Sequence, residues 1–305
     1  MGLYGADDEL GTINRLTKDV VLAAAKSEIQ TGERFSLNWP LDALGQNMII
    51  GRKPFSMEQF NKAPRVVNDD IWHFNSQGST QWDGLRHFAY QKEAKFYNGV
   101  ALGDMFDDDG SIKSHRNGVD RWEKKGIVGR GILVDYDRWR RAHGVEYNVL
   151  PPTAVEEGPT PTPLEHLKAV LKWQGTDVRF GDILVLRTGF VAAYNAASED
   201  ERRAVSKSVK GSGVEQSEEA LAWLWENFAA VAGDHVSFEK WPSVKPWYMH
   251  EVLLAGWGMP IGEPFDCEAL AEHCAKVKRW SFFLTSEVCH VPGAVASPPN
   301  ALAIF

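Results

Sequence analysis

Continuous apolar runs, bounded by glycine or polar residues, predict the buried strands of this chain. Residues 129–136 and 181–189 contain the runs Ile-Leu-Val and Ile-Leu-Val-Leu, and a glycine precedes each run. Short runs of branched aliphatic residues are typical of strands whose two faces are both covered. Shorter runs predict further strands at residues 34–37, 229–232, 281–285 and 301–305.

Apolar residues at helical spacing predict helices between these strands. Thr17 precedes a stripe of valines and alanines, so we expect a helix from Thr17 that stops near Gly32. Thr162 as the N-cap and Pro163 at the first helical position predict a second helix, which runs to about Gln174.

The remaining pattern predicts two more helices and two surface segments. The helices are expected over residues 217–228 and after Asp266, whereas residues 143–163 are proline-rich and residues 198–212 are charged. Helices and strands interleave along the whole chain. We therefore expect an α/β fold with a mixed sheet and flanking helices, in one domain over residues 1–305.

An unusually dense polar pattern lies at residues 73–90, where metal-capable side chains alternate with aromatic ones. On a strand, this period would place His73, Asn75 and Gln77 on one face. After a bend allowed by Gly78, the segment continues with Gln81, Asp83 and His87. The spacing predicts that a carboxylate, an imidazole and two amides converge within a few residues.

Composition narrows the class of protein. The chain has 305 residues, of which 44% are hydrophobic, and a formal net charge of −8. An acidic protein of this kind is not expected to bind nucleic acid or an anionic membrane. Because the N-terminal segment is acidic and the three cysteines lack CxxC spacing, we expect no secretory signal and a cytoplasmic location.

Several familiar motifs are incomplete. The acidic residues 107–109 lack the alternating ligands and distal glutamate of a calcium loop, and they predict a solvated turn. The glycines at residues 129–131 do not precede a helix, so a nucleotide site is not expected. Ser79 and Ser237 lack the context of a nucleophile elbow, which argues against a serine hydrolase.

Taken in order, five segments resemble the cyclase family of metal-dependent hydrolases, which includes bacterial-type kynurenine formamidase and isatin hydrolase. The resemblance runs from about residue 7 to residue 305 and implies the swivelling β/β/α fold of that family. The segments are residues 78–87, 129–135, 181–189, 250–254 and 258–263.

The family signature is His-x-Gly-Thr-His-x-Asp-x-x-x-His, in which the first two histidines and the aspartate bind metal. In this chain Gln77 and Gln81 stand in place of the two histidines, while Asp83 and His87 match the signature. The resemblance implies that Asp83 binds the metal and that His87 is the proton donor and acceptor. The two glutamines would contribute neutral carbonyl oxygens.

The resemblance also implies later ligands and a substrate pocket. The family's distal His and Glu ligands fall on His250 and Glu263, with a spacing one residue longer here. His73 or His235 could restore a nitrogen ligand. Together with Trp82, these two histidines are expected to contact the substrate.

The expected cofactor is one divalent metal ion. Two carboxylates balance one such ion, and an oxygen-rich donor set suits Mn²⁺ or Mg²⁺ better than a tight Zn²⁺ site. We expect Mn²⁺ or Zn²⁺, with Mg²⁺ as a further candidate.

Each of these residues also has a purely structural interpretation. His87 could be a core histidine, and Asp83 could form a turn before a glycine. Gln77 and Gln81 could be hydrogen-bonding groups without metal contact. His250 could cap the helix that follows it.

The leading hypothesis is a hydrolase that opens or cleaves a small cyclic or aryl amide, imide or lactone with metal-activated water and a histidine acid–base. One alternative is a metal-free relative that binds a small aromatic ligand without turnover. Another is a lyase or cyclase of secondary metabolism that uses the same site. The expected partners are a small-molecule substrate and further copies of the chain, as a homodimer or homotetramer.

Overall fold

A nine-stranded mixed sheet forms the centre of the molecule. The computed structural model describes residues 2–150, 160–208 and 210–305, so part of the predicted proline-rich segment lies outside the described residues. The strands are β1 (Arg34–Ser36), β2 (Ser56–Asn61), β3 (Asn68–His73), β4 (Gln81–Asp83), β5 (Ile127–Asp135), β6 (Asp182–Arg187), β7 (Phe228–Gly233), β8 (Ile261–Glu263), β9 (Ser281–Ser286), β10 (Ala296–Ser297) and β11 (Leu302–Ile304).

Helices cover the sheet, and shorter helical turns join the elements. The α-helices are α1 (Lys18–Glu28), α2 (Leu102–Met105), α3 (Tyr136–Ala142), α4 (Leu164–Gln174), α5 (Phe190–Ala196), α6 (Glu199–Ser208), α7 (Glu218–Asn227) and α8 (Glu268–Val277). A 3₁₀ helix spans Gly11–Arg15, and a π-helical segment spans Glu251–Trp257. None of the described helices is both long and apolar enough to cross a bilayer.

The order of strands across the sheet is β1-β11-β9-β5-β6-β7-β8-β4-β10. The four strands β5 to β8 run parallel to one another, and the strands outside them pair antiparallel. The predicted α/β class with a mixed sheet and flanking helices is therefore confirmed.

Alternating residues of the central strands supply two hydrophobic cores. On β5, Ile132 and Val134 face a core that includes Leu167 of α4, whereas Leu133 faces a core that includes Leu270 of α8. All five side chains are fully buried. Because parallel strands are covered on both faces, their sequence reads as a continuous apolar run rather than an alternation.

The prediction that His73, Asn75 and Gln77 lie on one strand is wrong. Strand β3 ends at His73 and pairs only with β2, in a two-stranded hairpin separate from the main sheet. The chain then turns, with the Gly78 N–H donating to the carbonyl of Asn75 at 2.8 Å. His73, Asn75 and Gln77 therefore do not share a strand face.

The predicted helices are confirmed, with shifted ends. Thr17 caps α1 through its side chain, which accepts from the Val20 N–H, but α1 ends before Gly32. In α4 the N-cap is Pro163 and not Thr162, because the Thr162 hydroxyl bonds the hydroxyl of Tyr147 at 2.8 Å.

Of two segments predicted at the surface, residues 107–109 are exposed, whereas residues 198–212 include the buried Val205 and Ser212. The acidic residues 107–109 form an exposed turn, as predicted. The charged segment 198–212 contains helix α6, which the sequence did not predict. In α6 only Val205 is buried, so the segment offers little of the apolar periodicity that reveals a helix.

Candidate functional site

The register of β4 against β8 builds the floor of a polar site. Gln81 lies opposite Glu263, and Asp83 lies opposite Ile261. Because side chains alternate along a strand, Gln81, Asp83 and Glu263 share one face of the sheet. All three are buried, with exposed fractions of 0%, 0% and 3%. Three polar groups from two distant parts of the sequence therefore meet on a short antiparallel ladder.

The turns on either side of β4 add an amide and an imidazole. Gln77 Nε2 donates to Asp83 Oδ1 at 2.7 Å and lies 3.2 Å from each ring nitrogen of His87. His87 Nε2 is 3.8 Å from Asp83 Oδ2. The His87 N–H bonds the carbonyl of Gly84 at 3.0 Å, which folds the chain back so that the imidazole returns over the strand.

His250 lies between two carboxylates. Its Nδ1 is 2.5 Å from Glu239 Oε2, and its main-chain N–H donates to Glu239 Oε1 at 3.2 Å. Its Nε2 is 3.3 Å from Glu263 Oε1 and 3.9 Å from Asp83 Oδ2. The Phe238 N–H donates to Glu263 Oε1 at 2.7 Å. Glu239 therefore holds the ring through Nδ1 and directs Nε2 toward the strand carboxylates.

The two histidines differ in protonation. Burial lowers the pKa of His87 below its ordinary value, and this outweighs the opposing effect of Asp83. Burial also acts to lower the pKa of His250, but the Glu239 carboxylate and the contact with Glu263 raise that pKa well above the usual value. At neutral pH His87 is therefore an uncharged base, and His250 is an imidazolium when nothing else binds its Nε2.

The side-chain amide of Gln81 can be placed in two orientations, which differ in the lengths of their hydrogen bonds. In one, Nε2 makes long contacts of 3.3 Å to Asp83 Oδ1 and 3.4 Å to Glu263 Oε2. In the reversed orientation, nitrogen donates to the carbonyls of Gln77 at 2.8 Å and Ser79 at 3.2 Å. The reversed amide makes the shorter bonds and turns its oxygen toward the two carboxylates. A cation bound between these three oxygens would stabilise this arrangement.

The donor atoms fit a divalent ion. Asp83 Oδ2 is buried and has no hydrogen-bond partner among the described residues, although an unpaired buried carboxylate oxygen is costly. Ligand atoms of Asp83, His87 and His250 all lie within 4.8 Å of one another. Glu263 and the Gln81 amide adjoin this group, so the side chains present can supply both nitrogen and oxygen ligands.

A cavity of about 190 Å³ opens beside these groups. His87, His250 and Glu263 form its polar end, and the rest of its wall is mainly apolar. The remaining lining residues are Ile49, Ile50, Arg52, Phe88, Lys210, Val236, Ser237 and Trp241. A small, mostly apolar cavity with a few converging polar groups is typical of a site for a small organic ligand.

The prediction that Trp82 contacts the substrate is wrong. Trp82 lies on β4 between Gln81 and Asp83, so its side chain points to the opposite face of the sheet. It is fully buried there, packs edge-on against Phe265 and donates to the Ser286 hydroxyl at 2.8 Å. Trp82 anchors the strand that carries the site.

His73 and His235 do not reach the cavity either. His73 ends β3 and lines a separate groove beside Lys53 and Trp72. His235 is fully buried against Phe238, and both of its ring nitrogens lack partners among the described residues. Burial lowers the pKa of His235 to about 4 against a smaller opposing effect of the Ser237 main chain. Neither histidine supplies the missing nitrogen ligand.

The alternative role of His250 as a helix cap is also wrong. His250 precedes the π-helical segment, but its side chain makes no capping hydrogen bond. The two ring nitrogens instead contact the carboxylates of Glu239 and Glu263. π-helical turns are frequent at functional sites.

The sequence did not predict the positions of three further residues at the site. Glu239 orients His250, while Arg52 and Ser237 line the cavity. None belongs to a local motif, and each reaches the site through a loop whose path the apolar pattern does not predict. The local sequence signal for Glu239 is weak, since it is only an acidic residue directly after the apolar Phe238.

Comparison with known proteins adds a family assignment. The family model described as "Putative cyclase" matches residues 28–240. A crystal structure described as a novel cyclase shares 30% sequence identity and has a TM-score of 0.84, covering 100% of this chain and 98% of that one. No curated protein sequence matches the chain.

Two more distant structures share the fold. Isatin hydrolase A from Labrenzia aggregata, bound to benzyl benzoate, is 13% identical, with a TM-score of 0.60 and coverage of 96% of this chain and 98% of that one. A predicted metal-dependent hydrolase from Bacillus stearothermophilus is 15% identical, with a TM-score of 0.50 and coverage of 90% and 98%. At these identities the likeness extends to the fold alone.

Proposed function

Because this chain belongs to the cyclase family, we propose that it is a metal-dependent hydrolase of a small cyclic or aryl amide, imide or lactone. The observation that carries the proposal is the buried Asp83 Oδ2, which has no hydrogen-bond partner among the described residues and faces His87 and His250 at the polar end of an apolar cavity. Isatin hydrolase, a structure of the same fold, is named for its action on a cyclic amide substrate.

The side chains that would hold the ion are Asp83, His250, Glu263 and Gln81. When bound, a divalent ion lowers the pKa of a water molecule and polarises a substrate carbonyl. Glu239 keeps Nε2 of His250 directed at the ligand group through its 2.5 Å contact to Nδ1. A carboxylate in this position orients a ligand histidine and raises its basicity.

His87 is the proposed acid–base. Its side chain is 22% exposed and lines the cavity, whereas those of Asp83 and His250 are 0% and 6% exposed. A residue that transfers protons must reach the substrate. Because burial keeps His87 uncharged, it can accept the proton of water and deliver it to the leaving nitrogen or oxygen.

The donor set favours Mn²⁺ or Zn²⁺, with Mg²⁺ as a further candidate. Two carboxylates and an amide oxygen are hard donors that suit Mn²⁺ and Mg²⁺, while the imidazole of His250 suits Zn²⁺. The carboxylates of Asp83 and Glu263 balance the charge of one divalent ion.

A second candidate function is binding of a small aromatic ligand without a metal and without turnover. The observation that favours it is the 2.7 Å bond from Gln77 to Asp83 Oδ1. This bond already satisfies one oxygen of the carboxylate on which the ion would depend. Glutamine at the position of a family metal ligand thus stabilises Asp83 without an ion.

Metal analysis of protein purified without chelators separates the two candidates. For the hydrolase, we expect about one ion per chain, a higher unfolding temperature on addition of Mn²⁺ or Zn²⁺, and loss of this shift in Asp83→Asn. Protein that contains no ion and shows no shift with either metal would eliminate the hydrolase in favour of the metal-free binder.

A further inference from the structure

We propose that Arg52 and Ser237 form a carboxylate subsite, so that the ligand of the cavity is a small aromatic ring bearing a carboxylate. This inference names the ligand class of the proposed hydrolase and rests on that function. It is carried by Arg52 and Ser237, two polar residues that line a mainly apolar cavity.

The apolar wall suits one flat ring. Ile49, Ile50, Phe88, Val236 and Trp241 line the cavity, whose volume is about 190 Å³. An apolar protein cavity of roughly 150 Å³ accommodates a benzene molecule. The space beside His87 and His250 is therefore sufficient for a single ring with small substituents and too small for two fused aromatic systems with long side chains.

Arg52 places a permanent positive charge on this wall. Its Nη1 donates to the carbonyl of Gln77 at 2.6 Å, and its charge also acts on Glu263 and His87. Holding one Nη group against the main chain fixes the plane of the guanidinium. A planar guanidinium matches the geometry of a carboxylate and binds it through parallel hydrogen bonds.

Ser237 supplies a second donor on the loop that follows β7. It lines the cavity and is 7% exposed, and its hydroxyl has no hydrogen-bond partner among the described residues. A buried hydroxyl without a partner is unfavourable unless a ligand satisfies it. A carboxylate could accept hydrogen bonds from this hydroxyl and from the Arg52 guanidinium.

The carboxylate has two possible sources. It can belong to the substrate, or it can form when a cyclic amide or lactone is opened. Ring opening breaks the acyl C–N or C–O bond and joins the oxygen of water to the acyl carbon. One proton of that water goes to the leaving atom, and the other is released when the new acid ionises.

Binding of benzoate and benzamide to the full-length protein, measured by calorimetry, tests the subsite. The two probes share a ring and differ in charge. We expect benzoate to bind at least about tenfold more tightly than benzamide, and Arg52→Gln to bring this ratio close to one. Arg52→Lys should keep part of the preference, and Ser237→Ala should lower the affinity for benzoate.

Lys53→Gln is the matched control, because Lys53 is adjacent in sequence but lines the separate groove; it should keep the wild-type ratio. A purely structural role of Arg52 would weaken both probes equally and leave the ratio unchanged. Equal binding of the probes by the wild type, or an undiminished ratio in Arg52→Gln, would overturn the inference. Neither result depends on turnover, so failure of the hydrolase proposal is detected separately by metal content and activity.

Kinetics then distinguish the two sources. If the substrate carries the carboxylate, Arg52→Gln raises KM for that substrate about tenfold or more with a smaller change in kcat. If the carboxylate forms on ring opening, KM for a neutral cyclic substrate is unchanged and inhibition by the product weakens instead. A variant that alters neither KM nor product inhibition would contradict both versions of the inference.

Discussion

At the scale of single residues, the site depends on two histidines whose surroundings give them opposite charge states. His87 is desolvated beside one carboxylate, while His250 is held between Glu239 and Glu263. The sequence shows two equivalent imidazoles. The difference in their proton affinity arises from the number of carboxylates that the fold places around each ring.

Replacement of His87 separates proton transfer from metal binding. His87→Ala should reduce kcat by about 100-fold or more and leave the metal content near that of the wild type, because the proposed ligands Asp83, His250, Glu263 and Gln81 remain. Asp83→Ala should lose both. Metal analysis and steady-state kinetics check this, with exposed His290→Ala as the control. Full activity in His87→Ala would show that another group carries the proton.

The activity should persist into mildly acidic solution. A base works only when it is unprotonated, and burial lowers the pKa of His87 below 6.5. The profile of kcat/KM against pH should therefore remain level as the pH falls to about 6.5 and decline only below it. An acid limb with a midpoint at or above about 6.5 would show that this assignment is wrong.

Glu239 should control the affinity for metal without touching the metal. Glu239→Gln removes the charge that raises the pKa of His250 and weakens the hold on its Nδ1, so metal affinity should fall by about 10–100-fold. Competition with a chelator measures the affinity. Glu251→Gln is the control, since Glu251 is also buried but accepts from the main chain of Tyr248 and Gln91. A comparable loss in both variants would indicate general destabilisation.

His235 should make the stability of the protein pH-dependent. Its pKa falls from 6.5 to about 4 on folding, so the folded state favours the neutral ring. The resulting stabilisation is complete above the unfolded pKa and is lost as the pH falls from about 6.5 toward about 4. The total loss in the free energy of unfolding is about 3 kcal/mol.

Urea unfolding of His235→Leu checks this contribution. The variant removes two unpaired buried nitrogens, so its stability near pH 7 should lie within about 1 kcal/mol of the wild type. Between about pH 6.5 and about pH 5 the wild type should lose roughly 2 kcal/mol more than the variant. Parallel pH curves for the two proteins would exclude His235 as the titrating group.

At the scale of elements, the site is assembled by the short pairing of β4 with β8 and by the turns around it. β8 is the last strand of the parallel region, and β4 adds to it in the antiparallel sense. The two strands span three residues each. A shift of one residue in this pairing would turn Gln81 and Asp83 to the far face and bring Trp82 into the site.

The N-terminal 3₁₀ helix buttresses the segment that carries His250. The Thr12 N–H donates to the Gly258 carbonyl at 3.0 Å, and the Thr12 hydroxyl donates to the Ala229 carbonyl at 2.6 Å. Gly11 has a φ of +59°, and a Cβ there would lie 1.9 Å from the Gly258 carbonyl oxygen. Backbone approaches backbone at this point, so only glycine fits.

Alanine at position 11 should therefore be strongly destabilising. We expect Gly11→Ala to lower the free energy of unfolding by more than about 3 kcal/mol, since it combines a strained φ with a backbone clash. Gly32→Ala is the control, because Gly32 also has a positive φ, +80°, but has open space around it. It should lose about 1 kcal/mol. Chemical unfolding measures both free energies of unfolding. Equal decreases in the two variants would show that the clash with Gly258 does not cause the destabilisation.

At the scale of the whole molecule, association and the single-domain assignment of residues 1–305 stay predictions. Hairpin β2–β3 exposes apolar side chains, including Trp72 with 53% of its surface exposed. An isolated two-stranded hairpin of this kind is stabilised when another surface covers it. We expect a homodimer or homotetramer in sedimentation velocity. A monomer at every concentration tested would show that this expectation is wrong.

The sequence alone determined those properties that short stretches encode. The apolar runs of β5 and β6 and the capped helix α1 follow from local periodicity and hydrogen bonding. The family signature predicted that Asp83 and His87 belong to one site, and His87 Nε2 lies 3.8 Å from Asp83 Oδ2.

Only the tertiary structure decided that Glu239, Arg52 and Ser237 adjoin the site. Glu239, Arg52 and Ser237 come from loops, and no periodic pattern indicates where a loop side chain points. The tertiary structure also decided the position of Trp82. Side chains alternate along the three-residue strand β4, so Trp82 points into the core and not into the cavity. Side-chain direction depends on strand register and loop path, and both are set by the packing of the entire sheet.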